Sequence, residues 1–185
     1  MKVSGTALGG VLLLEPRVFH DERGYFLESW RDDRYAAAGI PPFVQDNVSW
    51  SRRGVLRGLH LQSPHPQGKL VQVLHGEVWD VAVDVRAGSP GFGRWAGFTL
   101  SAANARQLWI PEGFAHGFVV LSDEAVFHYR CTDLYHPETE ATVVWNDPDL
   151  AIGWPVADPV VSARDAAGVR LRDLPPVEVA ARGAA

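Results

Sequence analysis

The chain has 185 residues, of which 46% are hydrophobic and 21% charged, and 17 basic against 22 acidic residues give a net charge of −5. This length predicts one domain with a substantial core, and the negative charge argues against a nucleic-acid or anionic-membrane surface. The apolar runs are too short to cross a bilayer. Residues 3–14 lack the charged start and small-residue cleavage site of a signal peptide, and the single cysteine, Cys131, has no disulfide partner. We therefore expect a cytoplasmic protein.

Short strands joined by tight turns dominate the pattern along the chain. The composition includes 18 glycines, 13 prolines and 19 aromatic residues. A helix is expected only at about residues 30–38 and near residue 162, whereas strand-like alternation covers residues 70–85 (broken at Gly76), 107–110, 117–121, 125–131 and 142–145. This spacing predicts an all-β jelly-roll barrel with a few short helices. We divide it into N-terminal strands and an arm (residues 1–48), a barrel core (49–155) and a C-terminal segment (156–185), loosely held from Arg170 onwards.

Two of the seven histidines lie in glycine-flanked motifs, RGLHLQ around His60 and PEGFAHGF around His116. The Pro-x-Gly-x-x-His segment resembles the second half of a cupin motif pair, and His60 belongs to the first half. Metal-binding cupins have a second histidine where this chain has Gln62, and no glutamate follows until Glu77. Two histidines are too few to hold a divalent ion. The sequence predicts a cupin-type barrel without its metal, in which a histidine is free to act as a base; the alternative is that both histidines are packing residues.

A cationic group surrounds His60 in the sequence. Strict strand alternation places Arg57 and His60 on opposite faces, so both reach one cavity only if Gly58 permits a bulge. Arg57 would form a cationic group with Arg23 and with Lys69, which is one of only two lysines. Such a group would suit the binding of a diphosphate. Alternatively, each of these cations is a solvated surface charge.

Long motifs then make the sequence recognisable. The chain resembles the dTDP-4-dehydrorhamnose 3,5-epimerases from about residue 18 to residue 165. The resemblance is carried by VFHDERGYFLE (18–28), FVQDN (43–47), GVLRGLH (54–60), QGKLVQVLHGEVWDVAVDVR (67–86), RQLWIPEGFAHGF (106–118), HYRCTDLY (128–135), WNDPDLAIGWP (145–155) and SARD (162–165).

The resemblance implies an epimerase acting on a dTDP-4-keto-6-deoxyhexose, in rhamnose-type or antibiotic-sugar biosynthesis. It implies His60 as the base, oriented by Asp165, Tyr129 as the proton donor on the opposite face, and Lys69 as the cation at the enolate oxygen. No cofactor is expected, because the substrate's own ketone accepts the electron pair, and no metal is expected.

The same resemblance implies a binding site and an assembly. The substrate-binding residues would be Gln45, Asp46, Asn47, Arg57, Lys69, His116, Glu140 and Arg164. Arg23, Phe26 and Glu28 would form an arm that enters the site of a neighbouring subunit, so a homodimer with exchange of the N-terminal arms follows.

Single residues have simpler interpretations. Ser162-x-x-Asp165 is also a helix-capping pattern. Tyr129 lies on the same face of its strand as core positions and could itself belong to the core. Glu140 lies in a loop rich in acidic residues, where it would be solvated.

Three other functions remain open from the sequence. An enzyme of this scaffold can invert only C3 or only C5. A metal-dependent cupin oxygenase or isomerase would use His60, His116 and His75 as ligands, and a non-catalytic cupin would only bind a sugar nucleotide.

Overall fold

The computed structural model describes residues 1–179. Two α-helices and fourteen strands occur in this part of the chain: β1 (Lys2–Gly5), β2 (Leu12–Glu15), β3 (Val18–Asp21), β4 (Gly24–Leu27), α1 (Asp32–Ala36), β5 (Gln45–Arg52), β6 (Val55–Gln62), β7 (Lys69–His75), β8 (Glu77–Asp84), β9 (Trp95–Ser101), β10 (Gln107–Ile110), β11 (Phe114–Val120), β12 (Glu124–Cys131), β13 (Glu140–Thr142), β14 (Val160–Val161) and α2 (Ala163–Ala166). Two 3₁₀ turns lie at Pro137–Thr139 and Leu171–Asp173. None of the helices in the described residues has the length and apolarity needed to cross a membrane.

The strands form two six-stranded sheets and a separate hairpin. The first sheet has the order β1-β2-β10-β7-β12-β5, and the second has the order β13-β6-β11-β8-β9, with the short β14 added in parallel to β6. Strands β3 and β4 form the hairpin. The two sheets face each other, so the prediction of an all-β, cupin-type jelly-roll fold is confirmed.

The core lies between the sheets because alternate residues of each strand point inwards. Phe118 of the second sheet stacks on Phe127 of the first with ring centroids 4.1 Å apart, and Val71, Val73 and Ala82 are buried around them. A second cluster covers the outer face of the second sheet. It explains why β8 is buried on both faces and why its sequence reads as a nearly continuous apolar run.

The C-terminal segment supplies much of this outer cover. This corrects the expectation that the chain is loosely held from Arg170 onwards. Leu171 and Val177 are 6% and 2% exposed and pack with Leu59 and Val81 of the second sheet. Residues 170–179 are therefore held by apolar contacts rather than loosely attached. The last six residues of the expected tail, 180–185, lie outside the described residues. The division of the chain at residues 48 and 155 stays a prediction.

Gly76 separates β7 from β8 as the sequence predicts. Its backbone has a φ of +78°, and a Cβ at this position would lie 2.1 Å from the carbonyl oxygen of Glu124. Only glycine fits there without displacement of the backbone. The predicted helix at residues 30–38 is shorter, Asp32–Ala36, and ends before Gly39, which has a φ of +78°.

Candidate active site

A cavity of about 330 Å³ opens between the two sheets. Its lining comes from strands of both sheets and from the loops beside them: Arg57, His60, His116, Phe118 and Glu140 from the second sheet, Gln45, Asn47, Ser49, Lys69, Phe127 and Tyr129 from the first, and Gln67 and Tyr135 from the loops. The fold thus brings six of the predicted substrate-binding residues into one cavity. The predicted base, His60, and the predicted proton donor, Tyr129, line the same cavity.

The bulge at Gly58, on which a shared cavity for Arg57 and His60 depends, is present. His116 of β11 pairs with His60 and Phe118 pairs with Arg57, so two steps along β11 match three steps along β6. Gly58 has a φ of +117°, and a Cβ there would lie 2.6 Å from the Cα atom of Gly117. Because the bulge resets the alternation, Arg57 and His60 both line the cavity.

Asp165 holds His60 from behind. Its Oδ1 lies 2.8 Å from His60 Nε2, and its Oδ2 accepts the backbone N–H of Gly58 at 3.1 Å. Ser162 caps α2 by accepting the N–H of Asp165 at 3.0 Å, so Asp165 occupies a capping position and contacts the histidine as well. Burial raises the pKa of Asp165, but the hydrogen bonds from His60, Gly58 and Ser162 outweigh it and leave the pKa below its ordinary value. The carboxylate is therefore ionised and leaves the other ring nitrogen of His60 available.

Lys69 and Tyr129 approach from the facing sheet. Lys69 begins β7 and is 9% exposed; burial lowers the pKa of its ammonium, while Cys131, Glu140 and Asp80 partly oppose this. Burial also raises the pKa of Tyr129, to which nearby Cys131 and Glu140 add. The phenol is consequently protonated at neutral pH and can donate a proton.

A second histidine–carboxylate pair lies beside the first. His116 Nε2 is 2.8 Å from Asp80 Oδ2, and both side chains are buried, 8% and 0% exposed. Asp80 was not among the site residues predicted from the sequence. The signal was present, since Asp80 is a charged residue inside the apolar run of β8, and a buried carboxylate needs a partner.

The polar wall of the cavity comes from β5. Gln45, Asn47 and Ser49 alternate inwards, and Gln45 donates to Asn47 Oδ1 at 3.1 Å. Arg57 donates through Nε to Ser51 Oγ at 3.0 Å, which directs its guanidinium across this wall. Strand β5 was absent from the predicted strands, because its alternating residues are mostly polar.

Glu140 and Arg164 meet at the cavity rim. The side chain of Glu140 is 9% exposed, so the alternative of a solvated residue is wrong. Its Oε2 accepts hydrogen bonds from Arg164 and, at 2.6 Å, from the hydroxyl of Tyr135. Tyr135 was also missed, although it ends the quoted motif HYRCTDLY.

Four predicted residues lie away from this cavity in the described chain. Asp46 points to the outer face of the first sheet, with Oδ1 3.2 Å from Arg130 Nε. The remaining three belong to the hairpin and the chain after it, where Arg23 pairs with Asp21, Phe26 is 70% exposed and Glu28 pairs with Arg34.

The histidine ligand set of a metal-dependent cupin is not assembled. His75 ends β7, six residues and so about 20 Å along the strand from Lys69. It is 63% exposed beside Glu124. His60 and His116 each bind their own aspartate instead.

Comparisons with known proteins agree on one family. A family model described as dTDP-4-dehydrorhamnose 3,5-epimerase matches residues 5–173. Proteins of that name from Pseudomonas aeruginosa and Neisseria gonorrhoeae are 56% and 57% identical over 176 and 170 residues, 94% and 91% of this chain. The chain spans 97% of the first relative and about half, 52%, of the second.

Solved structures give the same result. The dTDP-6-deoxy-D-glucose-3,5-epimerase of Legionella pneumophila Philadelphia 1, crystallised with dTDP-4-keto-L-rhamnose, matches with a TM-score of 0.93 and 51% identity, covering 97% of this chain and 99% of that one. A 3′-monoepimerase from Streptomyces bikiniensis, in complex with dTDP-quinovose, matches with a TM-score of 0.85 and 36% identity, covering 90% and 86%.

Proposed function

The chain belongs to the dTDP-4-dehydrorhamnose 3,5-epimerase family and is an isomerase, and we propose that it inverts both C3 and C5 of a dTDP-4-keto-6-deoxyhexose. One observation carries this proposal. His60 and Tyr129 enter one cavity from opposite sheets, and the buried Lys69 lines the same cavity. A base and an acid on opposite walls are what inversion of a carbon next to a ketone requires.

His60 is the base in the proposed reaction. The 4-keto group acidifies the hydrogens at C3 and C5, and the free ring nitrogen of His60 takes one of them as a proton. The electron pair of the broken C–H bond moves onto the ketone oxygen and forms an enolate. Asp165, 2.8 Å from Nε2, fixes the ring and stabilises the imidazolium that results.

Lys69 and Tyr129 complete the cycle. The ammonium of Lys69 stabilises the enolate oxygen, and its burial strengthens this interaction because the surroundings are of low dielectric. The electron pair then returns to the carbon, which takes the hydroxyl proton of Tyr129 on its opposite face. Proton exchange with solvent returns the tyrosinate and the imidazolium to their starting forms. The ketone oxygen holds the electron pair between the two proton transfers, so the reaction as proposed needs no cofactor.

The rest of the cavity would bind the nucleotide sugar. Arg57 and His116 supply donors for the diphosphate, and Gln45 and Asn47 supply amides on the facing wall. Glu140, held by Arg164, lies at the rim.

The residues outside the cavity fit a homodimer with exchanged arms. The β3–β4 hairpin exposes Phe19, Tyr25 and Phe26 by 48%, 59% and 70%, and the outer face of the first sheet exposes Val48 and Trp50 by 63% and 49%. Such apolar surface marks an interface. We infer that the hairpin of one subunit covers this face of its partner and brings Arg23 to the partner's site, in a cytoplasmic enzyme.

Mixing two inactive variants tests the exchange of arms. A dimer of His60→Ala and Arg23→Ala subunits has one site with both defects and one site with neither. Random reassociation should therefore restore about one quarter of the wild-type sites. If Arg23 serves its own subunit, no site in the mixture is intact and activity stays at the level of the separate variants. A monomer in sedimentation would also contradict the proposal.

Incubation of the dTDP-4-keto-6-deoxy sugar with enzyme in deuterated water tests the reaction itself. We expect NMR to show deuterium at C3 and C5, with both centres inverted, and no exchange with His60→Ala. His75→Ala is the matched control, since His75 is an exposed histidine with a carboxylate neighbour outside the cavity. Absence of exchange with the wild type would refute the proposal.

A single-centre epimerase is the second candidate, because the 36% identical Streptomyces bikiniensis protein is a 3′-monoepimerase. The higher identities to 3,5-epimerases, 51–57%, favour inversion of two centres. Deuterium at only one carbon would select the second candidate.

A further inference from the structure

The two loops that contribute Gln67 and Tyr135 to the cavity also carry a group of potential metal ligands that the epimerase reaction does not use. His65, Asp133 and His136 each offer one ligand atom, and these atoms all lie within 4.8 Å of one another. His65 belongs to the loop between β6 and β7, whereas the other two belong to the loop after β12. We propose that these three residues bind a divalent transition metal ion, with zinc as the best fit, which joins the two loops.

The ligand set has the chemistry that zinc prefers. Two imidazoles and one carboxylate match the nitrogen and oxygen ligands of three-residue zinc sites, in which water takes the fourth position. Tetrahedral bonds of about 2.0–2.1 Å place ligand atoms about 3.3 Å apart. His65 Nδ1 and Asp133 Oδ2 are already 3.7 Å apart. Glu138, with Oε1 3.4 Å from His136 Nδ1, adds a second negative charge that favours a cation.

The two histidine rings are neighbours and stack on one another. Their centroids are 4.3 Å apart and the planes differ by 21°. His65 adopts a φ of +65°, in the left-handed region that a residue with a side chain rarely occupies. An imidazole binds a metal ion in the plane of its ring, so at least one of the two stacked rings rotates when both coordinate the same ion.

A buried glutamine fixes the backbone of both loops. Gln62, which is 4% exposed, donates to the carbonyl oxygen of His65 at 2.8 Å and to that of Leu134 at 3.2 Å. Its Oε1 accepts the backbone N–H of His136 at 2.9 Å. One side chain therefore holds the backbones of the two loops next to each other, so the fold meets the backbone part of the cost of organising the three ligands.

An ion bound by these three residues would affect the cavity, because residues of the same two loops line it. Gln67 and Tyr135 line the cavity and lie two residues and one residue from ligands of the ion. Gln67 already joins the loops by donating to the carbonyl oxygen of Asp133 at 2.9 Å. A bound ion would add a second link between the loops and brace the part of the cavity that they line.

Titration of the untagged, full-length protein with Zn²⁺ tests this site, and no substrate is needed. After removal of metal with a chelator, we expect one Zn²⁺ per chain by calorimetry, with a dissociation constant in the micromolar range or below, and visible absorption bands when Co²⁺ is used instead. Zn²⁺ should also raise the melting temperature. Mg²⁺, which prefers oxygen ligands, should do neither.

Variants assign the ion to these residues. His136→Ala and the more conservative Asp133→Asn should each weaken Zn²⁺ binding by roughly 100-fold or more, since even loss of an outer partner of a metal ligand costs about 10- to 100-fold. His75→Ala is the control and should bind as the wild type does. Circular dichroism establishes that each variant is folded. The proposal is overturned if the wild type fails to take up one equivalent at roughly tenfold excess, or if Asp133→Asn binds as tightly as the wild type.

Discussion

Replacing Asp165 by asparagine tests how much the aspartate contributes to the proposed base, because His60 itself stays in place. The substitution keeps the shape of the side chain and one oxygen acceptor, but it removes the negative charge 2.8 Å from His60 Nε2. A hydrogen bond to a charged group contributes about 1.5–3 kcal/mol. Since about 1.4 kcal/mol corresponds to a tenfold change in rate, we expect kcat to fall by roughly 10- to 150-fold.

The rate of deuterium uptake at C3 and C5, followed by NMR in deuterated water, measures this loss directly. The KM for the nucleotide sugar should change little, because Asp165 contacts His60 and not the cavity wall. A fall in kcat with a constant KM is the signature of an interaction that acts in the transition state.

Asp84→Asn is the matched control. Asp84 is also a buried aspartate, 2% exposed, but it pairs with Arg86 and Ser89 rather than with a cavity histidine. The control should lose stability and keep the wild-type kcat per folded molecule. If Asp165→Asn exchanges solvent hydrogen at the wild-type rate, Asp165 does not support the base and the reasoning fails.

Three further outcomes follow from the cavity. Tyr129→Phe, which keeps the ring near Phe127 at 6.1 Å, should still exchange hydrogen by NMR but lose inversion of at least one centre by roughly 100-fold or more; unchanged inversion would exclude Tyr129 as the donor. Lys69→Met should lower kcat and raise the melting temperature by about a few degrees at pH 7, because burial lowers the pKa of Lys69 in the folded state. This gain in stability is complete below the lowered pKa and fades as pH rises towards the unfolded value, so a melting temperature that falls at pH 7 would contradict it. Arg57→Ala should raise KM about tenfold or more with a smaller change in kcat, whereas Arg53→Ala, an exposed arginine paired with Asp123, should match the wild type.

The sequence alone determined the fold class and supplied most of the candidate reacting groups. Short alternating runs bounded by glycine and proline are typical of a jelly roll whatever the strand order, so the all-β architecture followed from local pattern. The bulge at Gly58 was a conditional prediction, because Arg57 and His60, three apart on one strand, share a cavity only if it is present. Family motifs then supplied His60, Lys69 and Tyr129 as candidates.

Local pattern failed where burial depended on another part of the chain. Strand β5 escaped notice because its polar residues face a cavity rather than solvent. The expected loose tail was wrong because the outer face of the second sheet is apolar and Leu171 and Val177 cover it. A solvated Glu140 stayed open as an alternative because its partner, Arg164, is distant in sequence.

Only the tertiary structure decided which charged groups meet. His60 and Asp165 are 105 residues apart in the chain, and His116 and Asp80 are 36 apart. No local periodicity encodes such pairs, because they arise from the register between strands and from the docking of α2 against β6. The same holds for His65 and His136, which the buried side chain of Gln62 brings together. The sequence therefore specifies the chemistry available, and the packing of the two sheets specifies which groups act on one another.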